Sequence, residues 1–286
     1  MTVRPPNILL ILADNLGWGE LGCYGGGVLR GAPTPRIDAL AEESLTCLNF
    51  NVESDCVPTR SALMTGRHPI RTGAMQSVPA GLPQGLIPWE ITIGQLLQGA
   101  GYATACFGKW HLGGQRDVDD APPITAYGFD ESLTNFEGMG AKLLPLTLKP
   151  GDAEPGKIWA DAERLGKPVT WMQRSEITTG FIDAAIPFMN RALTAGKPFF
   201  VNLWPDDVHG PWWPPVAKWA DDKRSKYLAV LESMDRQFGR LFDHLRSTPA
   251  LRDNTLLLIC SDNGPEPGAG SAGPFRGSKT TLYEGG

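Results

Sequence analysis

The chain has 286 residues, of which 42% are hydrophobic and 20% are charged, and its formal net charge at pH 7 is −5. This length supports one α/β domain or one and a half domains, and the composition is typical of a soluble globular protein. The acidic balance argues against a broad nucleic-acid or anionic-membrane surface, although the 26 basic residues can still gather around a bound anion.

The cysteines are an odd, scattered set without the paired spacing that ligates zinc: Cys23, Cys47, Cys56, Cys106 and Cys260. Such a set predicts free thiols rather than a disulfide framework. Because the first predicted strand begins at Asn7, we expect no signal peptide, and no later apolar run is long enough to span a membrane. A cytoplasmic protein is therefore expected, or a periplasmic or secreted one if a leader was removed.

The first predicted element is a strand over residues 7–13, a continuous apolar run that stops at Asp14 and Asn15. A run of this kind predicts a strand buried on both faces, as in a parallel sheet. A helix is then expected over residues 34–45, opened by a threonine and a proline. A short strand is predicted near residues 48–52.

The next predicted helix begins at Cys56. Ser54 and Asp55 are both suitable caps, Pro58 suits the first turn, and Arg60 lies one turn further along on the same face. The backbone N–H groups and the dipole at a helix N-terminus favour an anion. Cys56 is therefore placed where a reactive side chain and a tetrahedral oxyanion could meet.

Three interpretations of Cys56 compete. It could be an ordinary buried cysteine, since free cysteine is among the most buried residue types. A thiolate phosphatase is excluded by spacing, because that chemistry needs an arginine at position 62, where the chain has Ala62. Third, the pattern of Cys56, Pro58 and Arg60 resembles the sulfatase signature, in which the cysteine is oxidised after synthesis to formylglycine. Five residues alone do not decide between the first and third.

The middle of the chain predicts a helix over residues 91–97 and a buried strand over residues 102–107 that ends just before Lys109 and His111. The region from residue 114 to about 175 is rich in proline and glycine. We expect long loops and short hairpins there, inserted at the rim of a site, rather than a second packed domain.

The remaining predicted elements alternate between helix and strand: a helix over 177–193 with a kink or break at Pro187, a strand over 198–203, a helix over 227–245 and a strand over 254–259. Each strand runs into polar residues. The repeated order predicts a doubly wound, mainly parallel sheet with helices on both faces. Its candidate functional residues should converge at the carboxyl edge of the sheet.

Two sets of residue types carry chemistry at these strand ends. Asp14, Asn15, Asp262 and Asn263 offer hard oxygen ligands that suit Ca²⁺ or Mg²⁺ rather than zinc. The cations that could hold a tetrahedral anion are Arg60, Lys109 and Lys279, and the groups that could move protons are His111 and His209. A packing or solvated role competes for each residue singly, but their joint placement favours one site.

Over nearly its whole length the chain resembles the N-terminal catalytic part of the type I sulfatases, which belong to the alkaline phosphatase superfamily. Within that family it most resembles bacterial arylsulfatases. The matching motifs, in the family's order, are Asp14, Asn15 and Gly17; Cys56, Pro58, Arg60 and Thr65, Gly66, Arg67; Gly108 to Gly113; His209 before Pro211; Ser261 to Gly264; and Lys279 before Tyr283 to Gly285. The resemblance implies one catalytic domain over residues 1–286 that is incomplete at its C-terminus, because the sequence ends inside the last motif.

The resemblance also implies a mechanism. A formylglycine made from Cys56 would be hydrated, and one hydroxyl, held on the metal and deprotonated with help from Asp262, would attack sulfur and expel the alcohol. His209 or Lys279 would protonate or stabilise the leaving oxygen. His111 would take the proton of the second hydroxyl, so that sulfate leaves.

The same resemblance implies binding roles. Arg60 and Lys109 would hold the diol, and Lys109, His209 and Lys279 would bind sulfate oxygens. The metal, Ca²⁺ or alternatively Mg²⁺, would be held by Asp14, Asn15, the modified Cys56, Asp262 and Asn263. The implied partners are a small-molecule or glycan sulfate ester and a formylglycine-generating or anaerobic maturation enzyme. We expect neither nucleic acid nor membrane as a partner.

One residue departs from the family pattern, which usually has two adjacent aspartates where this chain has Asp14 and Asn15. We expect the metal to bind through the Asn15 carbonyl, more weakly than through a carboxylate. Two alternatives stay open: a phosphonate or phosphodiester hydrolase of the same superfamily, and a truncated, non-catalytic anion binder. The alcohol should be selected by the loops at 114–175 and around Trp212 and Trp213.

Overall fold

The computed structural model describes residues 4–79, 82–83, 85–114 and 118–286. The strands are β1 Asn7–Ala13, β2 Ala103–Gly108, β3 Glu131–Thr134, β4 Lys142–Thr147, β5 Gly156–Lys157, β6 Val169–Gln173, β7 Phe199–Trp204 and β8 Thr255–Ser261. The helices are α1 Pro35–Glu42, α2 Cys56–Thr65, α3 Pro69–Thr72, α4 Ile93–Gly99, α5 Ile177–Thr194, α6 Lys223–Ser247 and α7 Pro249–Arg252.

The strands form one sheet in the order β5-β4-β3-β2-β7-β1-β8, with β6 also paired to β4. Every described pair is parallel except β4 with β5. The register sets Gly108 beside Trp204 and Ala13 beside Ser261, so the carboxyl ends of β2, β7, β1 and β8 lie next to one another. This is the doubly wound, mainly parallel sheet that the sequence predicts.

Helices cover both faces of the sheet, as predicted. On one face, Leu9 and Val201 belong to a buried cluster that includes Phe181 of α5 and Phe238 of α6. On the other face, Phe200 packs in a second cluster with apolar residues of α2, among them Val57 and Met64. Because both faces are buried, the central strands read as continuous apolar runs.

The end of β2 depends on a glycine. Gly108 has φ +111°, and a Cβ atom at this position would lie 2.1 Å from the carbonyl oxygen of Trp204. A side chain would therefore be strained by its backbone and would clash with β7. The close approach of the two strands brings the following residues, Lys109 to His111, directly to the edge of the sheet.

Four sequence predictions were wrong or incomplete. Residues 48–52 form no strand, and α1 ends before Leu45, because apolar side chains here, including Leu45 and Leu48, face solvent instead of packing. The region 114–175 is more than loops and hairpins, since β3, β4 and β6 extend the main sheet in parallel. Helix α5 runs on through Pro187, so the predicted break is wrong, whereas the alternative of a kink stays a prediction. That proline is exposed, where water can satisfy the carbonyl it leaves unpaired.

Among the described residues, no helix combines the length and the apolar character needed to cross a membrane.

Candidate active site

Cys56 is the first residue of α2 and is buried. Its backbone N donates to Asp55 Oδ1 at 2.8 Å, and Asp55 Oδ2 accepts from the backbone N of Ser77 at 2.8 Å. Burial raises the pKa of the Cys56 thiol to about 12, with Lys109 opposing and Asp14 adding to the shift. The unmodified thiol is therefore protonated at neutral pH, which argues against a thiolate nucleophile.

Arg60 is fully buried and ties three strand ends together. Its Nη2 lies 2.9 Å from Asp14 Oδ2 and 2.7 Å from Asp262 Oδ2, and its Nη1 donates to the carbonyl oxygen of Lys109 at 2.5 Å. Burial alone would lower its pKa, but Asp262 and Asp14 raise it. Arg60 thus holds the two carboxylates in place, whereas the sequence predicted a contact with the group at position 56.

Lys109 lies between the carboxylates and the cysteine. Its Nζ is 2.7 Å from Asp14 Oδ2, 3.8 Å from Cys56 Sγ and 3.9 Å from Glu137 Oε2. Despite its burial, the nearby Asp14 and Cys56 raise the pKa of this lysine. A buried ammonium group is therefore kept charged beside position 56.

The residues at the ends of β1 and β8 fit a metal ion. Asp14, Cys56 and Asp262 each offer a ligand atom, and the three atoms lie within 4.8 Å of one another. Within the described part of the chain, Asp14 Oδ1 and Asn263 Oδ1 are buried and make no hydrogen bond. Two unpartnered buried oxygens beside a carboxylate are what a hard divalent cation would satisfy.

Asn15 has a different environment from its neighbours. Its Oδ1 accepts a hydrogen bond from Asn263 Nδ2 at 2.7 Å, and its Nδ2 donates to Glu266 Oε2 at 2.9 Å. The backbone is left-handed, with φ +62°, a conformation that asparagine tolerates better than most residues. The Asn15 side chain therefore joins the β1 end to the loop that follows β8.

The two predicted histidines are both neutral at pH 7. Burial and the charge of Lys109 lower the pKa of His111 well below its usual range. The same two causes lower the pKa of His209 to about 4, and its Nδ1 lies 2.6 Å from the carbonyl oxygen of Gly210. Lys279 differs, because Asp14 and Cys56 outweigh burial and raise its pKa, so it carries a proton.

The structure also brings in residues that the sequence analysis missed. Glu137 Oε2 lies 3.2 Å from His111 Nδ1, and Ser77 Oγ lies 3.5 Å from Cys56 Sγ. Glu266 follows β8 in the same way that the predicted residues follow their strands, and Glu137 follows β3. If β3 is predicted correctly, Glu137 becomes a candidate site residue, because it then follows a strand end.

A parallel sheet with helices on both faces and a cluster of oxygen ligands and cations at its carboxyl edge defines an alkaline phosphatase-like α/β fold, and solved structures of this class share it. Within that class, the chain belongs to the sulfatase family, whose model, described as Sulfatase, matches residues 6–286.

The chain is similar to N-acetylgalactosamine-6-sulfatase of Sus scrofa, with 33% identity over 99% of this chain and 56% of the relative. It is 32% identical to arylsulfatase A of Homo sapiens, over 99% of this chain and 57% of that protein. The solved structure of Ps i-CgsB in complex with k-i-k-neocarrahexaose superposes with a TM-score of 0.78 and 27% identity, covering 99% of this chain and 64% of that one. The chain thus spans a little over half the length of these curated relatives.

Proposed function

We propose that this chain supplies the catalytic site of a sulfuric ester hydrolase. One observation supports this function most strongly: the side chain of Cys56 lies with the carboxylates of Asp14 and Asp262 in one cluster that could hold a metal, with the ammonium of Lys109 3.8 Å from Cys56 Sγ. A reacting group at position 56 would meet a cation and metal ligands together, as transfer of a sulfuryl group requires.

Within this proposal, Cys56 is converted to formylglycine by a maturation enzyme. The buried, protonated thiol is a poor nucleophile at neutral pH, so the site needs a different group at this position. The hydrated aldehyde supplies a hydroxyl nucleophile and a second hydroxyl that allows sulfate to be released. Asp55 and the first turn of α2 hold the modified residue in place through its backbone.

We propose Ca²⁺ as the metal, with Mg²⁺ as the alternative. Asp14, Asp262 and Asn263 would hold it together with position 56, and Asn15 would contribute its carbonyl oxygen after release from its hydrogen bond with Asn263. The bound ion would act as a Lewis acid toward a sulfate oxygen.

The cations divide into two roles. Arg60 bonds to both Asp14 and Asp262, so it keeps the proposed ligand carboxylates oriented. Lys109 also pairs with Asp14, but its Nζ lies 3.8 Å from Cys56 Sγ, so Lys109 and Lys279 would bind sulfate oxygens. The anion therefore binds next to position 56, within a chain whose overall charge is negative.

Proton transfer follows from which groups hold protons. Because Asp14 and Cys56 raise the pKa of Lys279 against the effect of burial, its charge would stabilise the leaving oxygen, while His209 would bind substrate. His111, neutral and buried, accepts the proton of the second hydroxyl.

The substrate we propose is a sulfate ester of a glycan or an aryl alcohol. Support comes from the names of the relatives, an N-acetylgalactosamine-6-sulfatase and an arylsulfatase, and from the oligosaccharide in the Ps i-CgsB complex. Trp213 and Trp219, with ring centroids 5.4 Å apart, lie on the segment after His209 and offer an aromatic surface for a sugar ring. Trp212 instead packs against Tyr227, a structural role.

The test is hydrolysis of a chromogenic aryl sulfate by the full-length protein expressed with a maturation enzyme. Cys56→Ala should reduce turnover to the background rate, because alanine cannot be converted to formylglycine. Cys47→Ala, which removes an exposed thiol, should retain wild-type turnover. Faster turnover of phosphodiesters or phosphonates than of sulfates would favour the neighbouring hydrolase class. An unmodified Cys56 with retained anion binding would favour a binder.

A further inference from the structure

Glu137 is a buried acidic residue that the mechanism above does not use. It lies in the loop after β3, and its Oε2 is 3.2 Å from His111 Nδ1 and 3.9 Å from Lys109 Nζ. Its side chain is almost completely removed from solvent. Since burying a carboxylate is costly unless it is paired, its position beside His111 and Lys109 calls for a role.

The loop that carries Glu137 is held by buried polar contacts. Lys142 Nζ donates to the carbonyl oxygens of Gly138 and Asn135, and the backbone N of Glu137 donates to Asn135 Oδ1 at 3.1 Å. Asn135 Nδ2 in turn donates to Asp206 Oδ2 at 2.8 Å. The carboxylate of Glu137 is therefore presented by a fixed loop rather than by a mobile rim.

His111 has the properties of a residue that needs such a partner. Its backbone is left-handed, with φ +58°, and strained conformations of this kind persist where the surroundings impose them, often at functional sites. Both ring nitrogens are buried and make no hydrogen bond to a described residue, but only Nδ1 lies near a carboxylate oxygen, 3.2 Å from Glu137 Oε2. A ring with a carboxylate beside one nitrogen is arranged to keep its proton there and to accept a second proton at the other nitrogen.

We propose that Glu137 is a positioning residue for His111: its carboxylate keeps the ring proton on Nδ1, so that Nε2 is free to accept a proton from position 56 during turnover. This inference rests on the proposed function, in which His111 is the base. Glu137 itself does not touch the reacting atoms. Its charge also stabilises the imidazolium that forms when Nε2 is protonated.

The electrostatic surroundings of Glu137 make its charge depend on pH. Charged or titratable groups face Glu137 from five parts of the fold. They are Asp14 after β1, Arg60 on α2, Lys109 and His111 after β2, Lys142 on β4, and Asp206 after β7. Burial raises the pKa of Glu137 to about 7, against the opposing effect of Lys109 and Arg60. Above this pH the carboxylate is ionised and can accept the Nδ1 proton, and below it the acceptor is lost.

The kinetic test compares Glu137→Gln and Glu137→Ala with wild type, in the full-length matured protein on an aryl sulfate. Removing a residue that orients a catalytic histidine should lower kcat by about 10- to 100-fold and leave KM nearly unchanged. Glu131→Gln is the matched control, because Glu131 is an exposed glutamate on β3 that pairs with Arg191. It should behave as wild type.

The pH profile separates positioning from simple structural support. Wild-type kcat should fall as the pH is lowered through about 7, because Glu137 becomes protonated there. Glu137→Gln cannot titrate, so its profile should lack this inflection. A Glu137→Gln enzyme with wild-type kcat and an unchanged profile would overturn the proposal.

A spectroscopic arm tests the contact without turnover. The chain has four histidines, so ring ¹⁵N–¹H correlation spectra with a His111→Gln variant for assignment can report which nitrogen of His111 carries the proton. In wild type we expect the proton on Nδ1, and in Glu137→Ala we expect a larger share of rings with the proton on Nε2. If the alanine variant does not fold, the same spectrum is recorded on the near-isosteric Glu137→Gln variant. A proton on Nε2 in wild type would overturn the inference. If wild type hydrolyses no sulfate ester, the proposed function fails. The spectra still show whether Glu137 keeps the proton of His111 on Nδ1.

Discussion

At the scale of single residues, position 15 shows how one amide changes the balance of charge around a metal site. Asn15 stands where the resemblance to the sulfatases implies a second aspartate, and its Nδ2 donates to Glu266 Oε2 at 2.9 Å. A carboxylate at position 15 would bring two like charges together at that contact. Asparagine therefore lets Glu266 approach the β1 end, and it leaves the proposed metal ligands with one negative charge fewer.

We predict that Asn15→Asp tightens Ca²⁺ binding, by about tenfold, because the number of charged ligands sets the affinity of calcium sites. Calorimetric titration of the full-length protein with Ca²⁺ measures the change. Asn254→Asp adds the same charge at the opposite end of β8, where the Asn254 side chain donates to the carbonyl oxygen of Pro5, and should leave the affinity unchanged. Equal affinities in Asn15→Asp and wild type would show that Asn15 is not a ligand.

At the scale of elements, the start of α2 combines a structural and a chemical task. Asp55 caps the helix and also holds the segment of Ser77 against the cysteine, since its two carboxylate oxygens accept from the backbones of Cys56 and Ser77. The cap of α6 has only the first task. Asp222, at the start of α6, accepts from the backbone N of Ser225 at 2.9 Å and lies on the surface.

We predict that Asp55→Ala lowers the free energy of unfolding by about 1–2 kcal/mol, the usual cost of losing an N-cap, and also lowers sulfatase turnover because position 56 shifts. Urea unfolding and aryl sulfate hydrolysis measure the two effects. Asp222→Ala should weaken α6 and leave turnover intact. Turnover that is equal in the two variants would mean that Asp55 acts only as a helix cap.

The same scale shows which elements can be predicted from sequence. Strands β1, β2 and β7 are predictable because each is buried and reads as one apolar run. Strand β8 is an edge strand with Leu256 and Leu258 exposed, and it is predictable because its sequence is still one apolar run. Strands β3 to β6 were missed because they are short and β4 contains Pro145, so no periodic signal accumulates. This omission also hid Glu137, whose only sequence signal is that it follows β3.

At the scale of the whole molecule, groups that lie more than two hundred positions apart converge because parallel strands share one carboxyl edge. The polar residue types at the strand ends, from Asp14 to Asp262, predict that the site lies at this edge of the sheet. The individual contacts could not be predicted, because they depend on the register between strands and on side-chain direction. Arg60 is the clearest case, since its bonds to Asp14 and Asp262 depend on how α2 packs against the ends of β1 and β8.

We propose that this convergence serves a matured residue at position 56 that hydrolyses sulfate esters. The most direct measurement plots turnover of an aryl sulfate against the fraction of aldehyde at position 56, determined by peptide mass spectrometry on preparations with graded amounts of maturation enzyme. We predict that turnover rises in proportion to the aldehyde fraction and vanishes with the unmodified thiol. Turnover that is independent of this fraction, or absent at full conversion, would contradict the account.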